Sequence, residues 1–232
     1  MIPGLAYLFI NNYIPMVGVL IAFKKMDYRL GMFRSPWIGL KNFEFLFTSN
    51  DAWLMTRNTI GYNLLFIAIG TAASIAVAIL LFSVSSDKLK NAYQMSVLLP
   101  YTISIVIVSY LVYGFLNTDT GFINKSILSA LGIQKIFWYM ESRYWPYILT
   151  IVYLWRVVGY NSVIYYATLV GVDKQYFEAS AIDGAGSLKQ IQYIILPSLR
   201  PTMITLILLA ISRIFYSDFG LFYQIPMDSG PL

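Results

Sequence analysis

Cysteine and histidine are both missing from the 232-residue chain. Their absence removes disulfides, thiolate and imidazole metal sites, and any histidine-based catalytic relay. Charge is scarce as well: 12% of residues are charged against 58% hydrophobic, at a mean hydropathy of +0.66, which is too oily for an ordinary soluble domain. The acids that do occur avoid the apolar stretches, and of eleven only Asp218 falls near one. Ion-coupled carriers place a carboxylate or histidine at mid-membrane to bind their cation, so this distribution counts against them. Glycine is never followed by lysine, so no G-x-x-x-x-G-K-[ST] phosphate loop occurs. The apolar stretches offer no nucleophile and base for catalysis, and they absorb the aromatics that a nucleic-acid groove would need.

What the chain has instead is long charge-free runs. Met1 to Phe23, Asn58 to Ser86 and Asn91 to Thr118 each exceed the roughly 20 residues that a helix needs to cross a bilayer. Tyr144 to Val172 and Pro201 to Ser217 are each interrupted by one arginine, Arg156 and Arg213, and remain apolar enough to insert. Backbone groups in lipid must be satisfied internally, and these runs are too long for barrel strands, which leaves helices. The expectation is an all-α integral membrane protein, one polytopic domain over residues 1–232 with spans at about 3–23, 60–83, 94–116, 146–170 and 201–220. The first run has no basic start, carries Pro3 and Pro15, and lacks a small-residue cleavage pattern, so it reads as a span and not a signal peptide. Gly70, Ser74 and Ala78, four residues apart, form a small-residue stripe suited to close helix packing.

Between the last two spans lies EASAIDGAGSLKQIQYIILP, Glu178 to Pro197. Asp173 suits the cap of a short helix from Lys174 to about Asp183, and Gly184 suits the left-handed residue that ends it. Ser187 and Gln190 have the S-x-x-Q spacing of a capping box for a second helix, which Pro197 is expected to close. Leu188, Ile191, Ile194 and Ile195 give that second helix an apolar face, while Ala179, Ser180 and Ala181 keep the first helix thin. Helices this short need a surface to dock on, which is either the protein's own bundle or another protein.

The segment is similar to the coupling motif of ABC importer permeases, E-A-A-x-x-D-G-A followed by I-x-L-P, at Glu178, Ala179, Ser180, Asp183, Gly184, Ala185, Ile194, Leu196 and Pro197. Ser180 stands where the family usually has alanine. PGLAYLFINNYIPMVGVLIAFK and SPWIGLKNFEFLF also resemble carbohydrate importer permeases of the maltose-transporter superfamily, in the branch for complex oligosaccharides. The resemblance implies a type I ABC importer permease fold. It implies a coupling loop at 173–197 held by a cleft of a separate ATPase, with Glu178 pairing with a base there. It implies as partners a second, homologous permease chain, two ATPase subunits that bind ATP and magnesium, and an extracellular or periplasmic solute-binding protein, in a bacterial cell membrane. It also implies six spans, so a sixth is expected beyond PMDSGPL, and a short basic lead that this chain does not show. The chain itself is expected to bind no cofactor or nucleic acid and to be no enzyme. The alternative is an ion-coupled carrier or channel acting alone.

With the loop cytoplasmic, five spans place Lys24 to Arg57 and Asp119 to Arg143 outside. Nine lysines and arginines then face outward and five inward, against the usual positive-inside bias. In the first outer segment Trp37, Leu40, Phe43 and Phe47 recur as in a helix lying in the membrane interface, suited either to packing or to receiving a binding protein. Candidates for the substrate path are Trp155, Arg156, Tyr160 and Asn161 in the fourth span, where rings stack on sugars and guanidinium or amide groups bond to hydroxyls. Arg156 leads, because a charge inside a span costs several kcal/mol unless it faces partners or water. Arg213 is similar, with Asp218 nearby as a potential ion partner. If either arginine meets the substrate, an acidic sugar fits. Tyr110, Tyr113 and Asn117 are further candidates, although tyrosine also serves as an interfacial anchor.

Overall fold

The structure is a computed structural model that describes residues 1–227; Asp228 of the acid inventory lies outside them. It is all-helical apart from one isolated bridge between Lys24 and Trp37, with no strand among the described residues. The chain divides into two compact units, Met1–Asn58 and the part from Thr59 onward.

In the first unit, helix α1 (Ile2–Phe23) is apolar along its length and has no fully buried residue, as expected of a surface that faces lipid or another subunit. A π-type turn at Phe9–Tyr13 precedes Pro15. Beyond α1 the chain folds back: the Ile38 amide donates to the Phe23 carbonyl at 2.9 Å, Asn42 Nδ2 donates to the carbonyls of Ala22 and Lys24, and Phe23 stacks on Trp37. The amphipathic stretch expected after Trp37 is therefore two short pieces, Gly39–Phe43 and Glu44–Thr48 (α2). Phe43 packs on Phe23 while Leu40 and Phe47 stay exposed, so the four apolar residues do not share one face.

Helix α3 (Asp51–Ser83) runs into the second unit. Its small-residue stripe is buried, and Tyr153 and Leu154 lie 3.8 and 3.9 Å from where a Gly70 side chain would begin. The run expected to form one straight span at 94–116 is instead two helices, α4 (Asp87–Thr102) and α5 (Ile105–Leu116), meeting at 95°. Pro100 removes the hydrogen bond that would tie the last turn of α4 to Ser96, and the Ile103 amide reaches back only to the Pro100 carbonyl at 3.4 Å. Among the described residues four helices are long and apolar enough to cross a membrane, five with the bent pair as one.

After α6 (Ile123–Leu128), helix α7 (Trp145–Val170) is the centre of the unit. At Gly159 it touches α4 backbone to backbone, because an added Cβ would fall on the Val97 carbonyl. Two apolar clusters lie along it. Phe66, Val108, Trp145, Leu149, Val152 and Leu221 gather near its start; Ile75, Ala78, Tyr165, Leu169, Ile195 and Leu199 gather near its end.

Helix α8 (Lys174–Ile182) follows, then α9, continuous over Ser187–Ile211. Pro197 thus sits inside a helix that it was expected to end. Upstream, residues Ile191–Ile195 widen into a π turn, which makes room where the proline ring would otherwise strike the carbonyl of the preceding turn. The last expected span, 201–220, accordingly begins in the loop and stops at Ile211. The short α10 (Gly220–Gln224) comes after a turn that Asn63 Nδ2 holds by donating to the carbonyls of Ile214 and Tyr216, both at 3.0 Å.

Candidate functional site

The loop at 173–197 is built by local chemistry. Asp173 Oδ1 accepts from the Gln175 amide at 2.9 Å and starts α8. Gly184, at φ +75°, takes the left-handed conformation that ends it, and the Ala185 amide closes back on the Ser180 carbonyl at 2.9 Å. The expected capping box is not made. α9 starts from Gly186 with no side-chain cap, and Gln190 Nε2 instead crosses the turn to donate to Ser180 Oγ at 2.9 Å and to the Phe177 carbonyl. Ser180 Oγ in turn donates to the same carbonyl at 2.8 Å. The two helices are therefore clasped to one another through the residue that departs from the family pattern.

One side of this pair packs on the bundle, where Phe177 lies against Phe82 and Ile191 joins the second apolar cluster. The other side is bare. Glu178, Ala179, Asp183 and Gly184 are exposed, and so are Ile182 at 87% and Leu188 at 79%. Ala185 and Pro197 are half-buried, and Leu196 is 37% exposed. The apolar stripe seen in the sequence is thus split, with Ile195 buried in the core and Leu188 facing out. Glu178 has no ion pair among the described residues.

A cavity of about 510 Å³ lies between the clusters, walled by α3, α4, α7, α9 and the start of α10. Tyr160 and Asn161 of the sequence candidates line it; Trp155 faces a separate recess of about 370 Å³ beside Pro100 and Gly159. Arg156 lines neither, and its half-buried side chain leaves Nε without a hydrogen-bond partner. Tyr110 is exposed, Tyr113 packs edge-on against Tyr139, and Asn117 Oδ1 is occupied by the amides of Asp119 and Thr120 and the Thr120 hydroxyl. These three are not brought to the cavity.

The cavity gathers residues that sequence reasoning passed over. Tyr101, the penultimate residue of α4, stacks on Tyr160 at 4.5 Å and 15° because the helix breaks directly after it. Asn63, the polar intruder in an apolar helix, was the one detectable signal; Tyr153 and Tyr216 carried none. Arg213 and Asp218 both line the cavity but form no ion pair. Asp218 Oδ1 accepts from the Leu221 amide at 3.2 Å at the start of α10, and the Arg213 guanidinium lies 5.6 Å from the Tyr216 ring. No group of three metal-ligating side chains occurs among the described residues.

Residues 84–217 match the family described as binding-protein-dependent transport system inner membrane component. Protein LplB of Bacillus subtilis is 33% identical over 96% of this chain and 70% of its own length. The polygalacturonan/rhamnogalacturonan transport system permease protein YteP of the same species is 34% identical over 90% of this chain and 65% of its own. Among solved structures, a bacterial ABC transporter involved in import of the acidic polysaccharide alginate superposes with a TM-score of 0.85 at 28% identity, covering 97% of this chain and 77% of the matched one. A second structure of an alginate transporter, in complex with its pentasaccharide-bound periplasmic protein, gives 0.81 at 26% identity. The chain thus spans about two thirds to three quarters of the length of these relatives.

Proposed function

Because the chain belongs to the family of binding-protein-dependent transport system inner membrane components, we propose that it is the translocation subunit of an ABC importer for oligosaccharides, driven from its 173–197 loop. The observation that carries this reading is the two-sided helix pair, clasped by Gln190 and Ser180 and packed on the bundle by Phe177, with Glu178, Ile182 and Leu188 bare on the other side. A partner ATPase holds that bare side, with Glu178 as its ionic contact and Ala179, Asp183 and Gly184 allowing close approach. Leu196 and Pro197 begin the shaft that leads away into the membrane. Nucleotide and magnesium belong to the ATPase.

In this reading the loop faces the cytoplasm of a bacterial cell. The substrate arrives from a solute-binding protein on the other side, and a second permease completes the path. ATPase closure moves α8 and α9 together and alternates access to the cavity lined by Tyr160 and Asn161. Relatives named for polygalacturonan and rhamnogalacturonan transport and for alginate import support a sugar polymer or its fragments as the cargo. An ion-coupled carrier is the weaker reading, since among the described residues Asp218 is the only acid in the cavity wall and it is engaged with the Leu221 amide.

Detergent extraction of the assembled complex tests this. Glu178→Lys reverses the contact charge, and Gly184→Pro requires a φ that the turn cannot take. Each is expected to reduce the co-purifying ATPase severalfold, and unchanged retention in both variants removes the assigned role of the loop. Cysteine labelling adds a check on sidedness, because the native chain contributes no thiol of its own.

A further inference from the structure

Resting on the sugar-importer reading above, we infer that the cavity selects an acidic sugar, with Arg213 taking the substrate carboxylate and the Tyr101–Tyr160 pair stacking on a sugar ring. Among the described residues Arg213 is the only cation lining the cavity, and its exposed side chain has neither an ion pair nor a side-chain hydrogen bond there. A guanidinium that lines a cavity without an ion partner is free to take an anion, and its fork of N–H donors matches a carboxylate with two parallel bonds. The obvious candidate inside the protein, Asp218, does not serve. Its Oδ1 accepts from the Leu221 amide at the start of α10, more than ion-pair distance from Arg213.

The rest of the wall suits a carbohydrate. Tyr101 and Tyr160, stacked at 4.5 Å, present ring surface of the kind that covers the C–H face of a sugar. Asn161, together with the free carboxylate oxygen of Asp218, is at hand for hydroxyl groups. The volume of about 510 Å³ falls in the range of small-molecule pockets, room for a few sugar units and not for a polymer. Arg156, the stronger charge candidate by sequence, lies outside this cavity. The charge criterion therefore passes to Arg213.

The test compares uptake by the complete importer in ATP-loaded proteoliposomes of trigalacturonate and of the same trisaccharide with its carboxyls reduced to alcohols. The wild type is expected to favour the acid by about tenfold or more, the scale of a charge-assisted hydrogen bond. Arg213→Gln should bring the ratio close to one. Arg213→Lys, which keeps the charge without the fork, should fall between. Because the binding protein is the same in every arm, a change in ratio belongs to the permease. A wild type that favours the reduced sugar, or a ratio untouched by Arg213→Gln in an importer that still retains its ATPase, overturns the proposal and leaves the importer reading standing. A wild type that takes up neither sugar overturns both.

Discussion

Replacing Gly159 by alanine is the most severe small change that the structure offers. The added methyl group would fall on the Val97 carbonyl group, well inside the 3.0 Å that real Cβ atoms keep from their neighbours, and would press on the Leu98 amide at 3.3 Å. The obstacle is backbone and cannot swing aside as a side chain would, so α4 and α7 must part. Overpacking of this kind costs about 1–3 kcal/mol and occasionally more. The opposing term, the helix propensity gained when glycine becomes alanine, returns about 0.5–1 kcal/mol. The net expectation is a destabilisation of about 1–2 kcal/mol, which for a chain of this size lowers the melting temperature by roughly 2–8 °C. Gly61 on α3 provides the control: nothing lies within 4 Å of its would-be side chain, so Gly61→Ala feels only the propensity term and should melt at or slightly above the wild type. Thermal unfolding of both variants in the same detergent decides the matter. A Gly159→Ala protein that melts with or above Gly61→Ala would refute the backbone contact between α4 and α7. Loss of uptake should accompany the lower melting point, because Gly159 precedes Tyr160 and parting the helices separates it from Tyr101.

Asn124 is buried to 2% exposure and holds the 117–144 loop through its amide, donating to the carbonyls of Ile136, Asn117 and Thr118 and accepting from the Ile136 amide at 3.1 Å. Asn124→Ala leaves both polar groups of Ile136 without this partner, and should cost about 2–3 kcal/mol and speed protease cleavage within residues 117–144. The Tyr139 phenol in the same loop is pushed up to about 12 by burial, with Tyr113 beside it adding to the rise. Because the folded state favours the neutral phenol, this contribution to stability is complete below pH 10, the ordinary tyrosine value, and is lost as pH rises through about 12. Tyrosinate absorbance followed against pH should lose one late-titrating component in Tyr139→Phe relative to the wild type.

Local chemistry was legible in the sequence where the interacting groups are neighbours. The Asp173 cap and the Gly184 turn each depend on a few adjacent residues, and both are present. Ser187 and Gln190 had the right spacing for a capping box, but Gln190 finds Ser180 across the turn, a competitor that spacing within one helix does not reveal. Pro197 read as a stop because a regular helix cannot accommodate it, whereas the π turn at Ile191–Ile195 can. Hydropathy marked residues 94–116 as apolar without recording direction, so the 95° bend that turns Tyr101 toward Tyr160 went unseen. The arginines in the two interrupted apolar runs were conspicuous for the cost of their charge, yet their roles depend on which neighbours the fold sets beside them. That is why Arg213, and not Arg156, meets the cavity.

The continuous course of α9 has a consequence for reach. Its 25 residues, rising about 1.5 Å each, make a strut of roughly 37 Å with Leu188 at its foot and Arg213 just past its head. In the proposed coupling role, a tilt imposed at the loop would reach the cavity wall through this one helix, by way of its π turn and the prolines at 197 and 201. The loop and one wall of the cavity thus belong to a single helix.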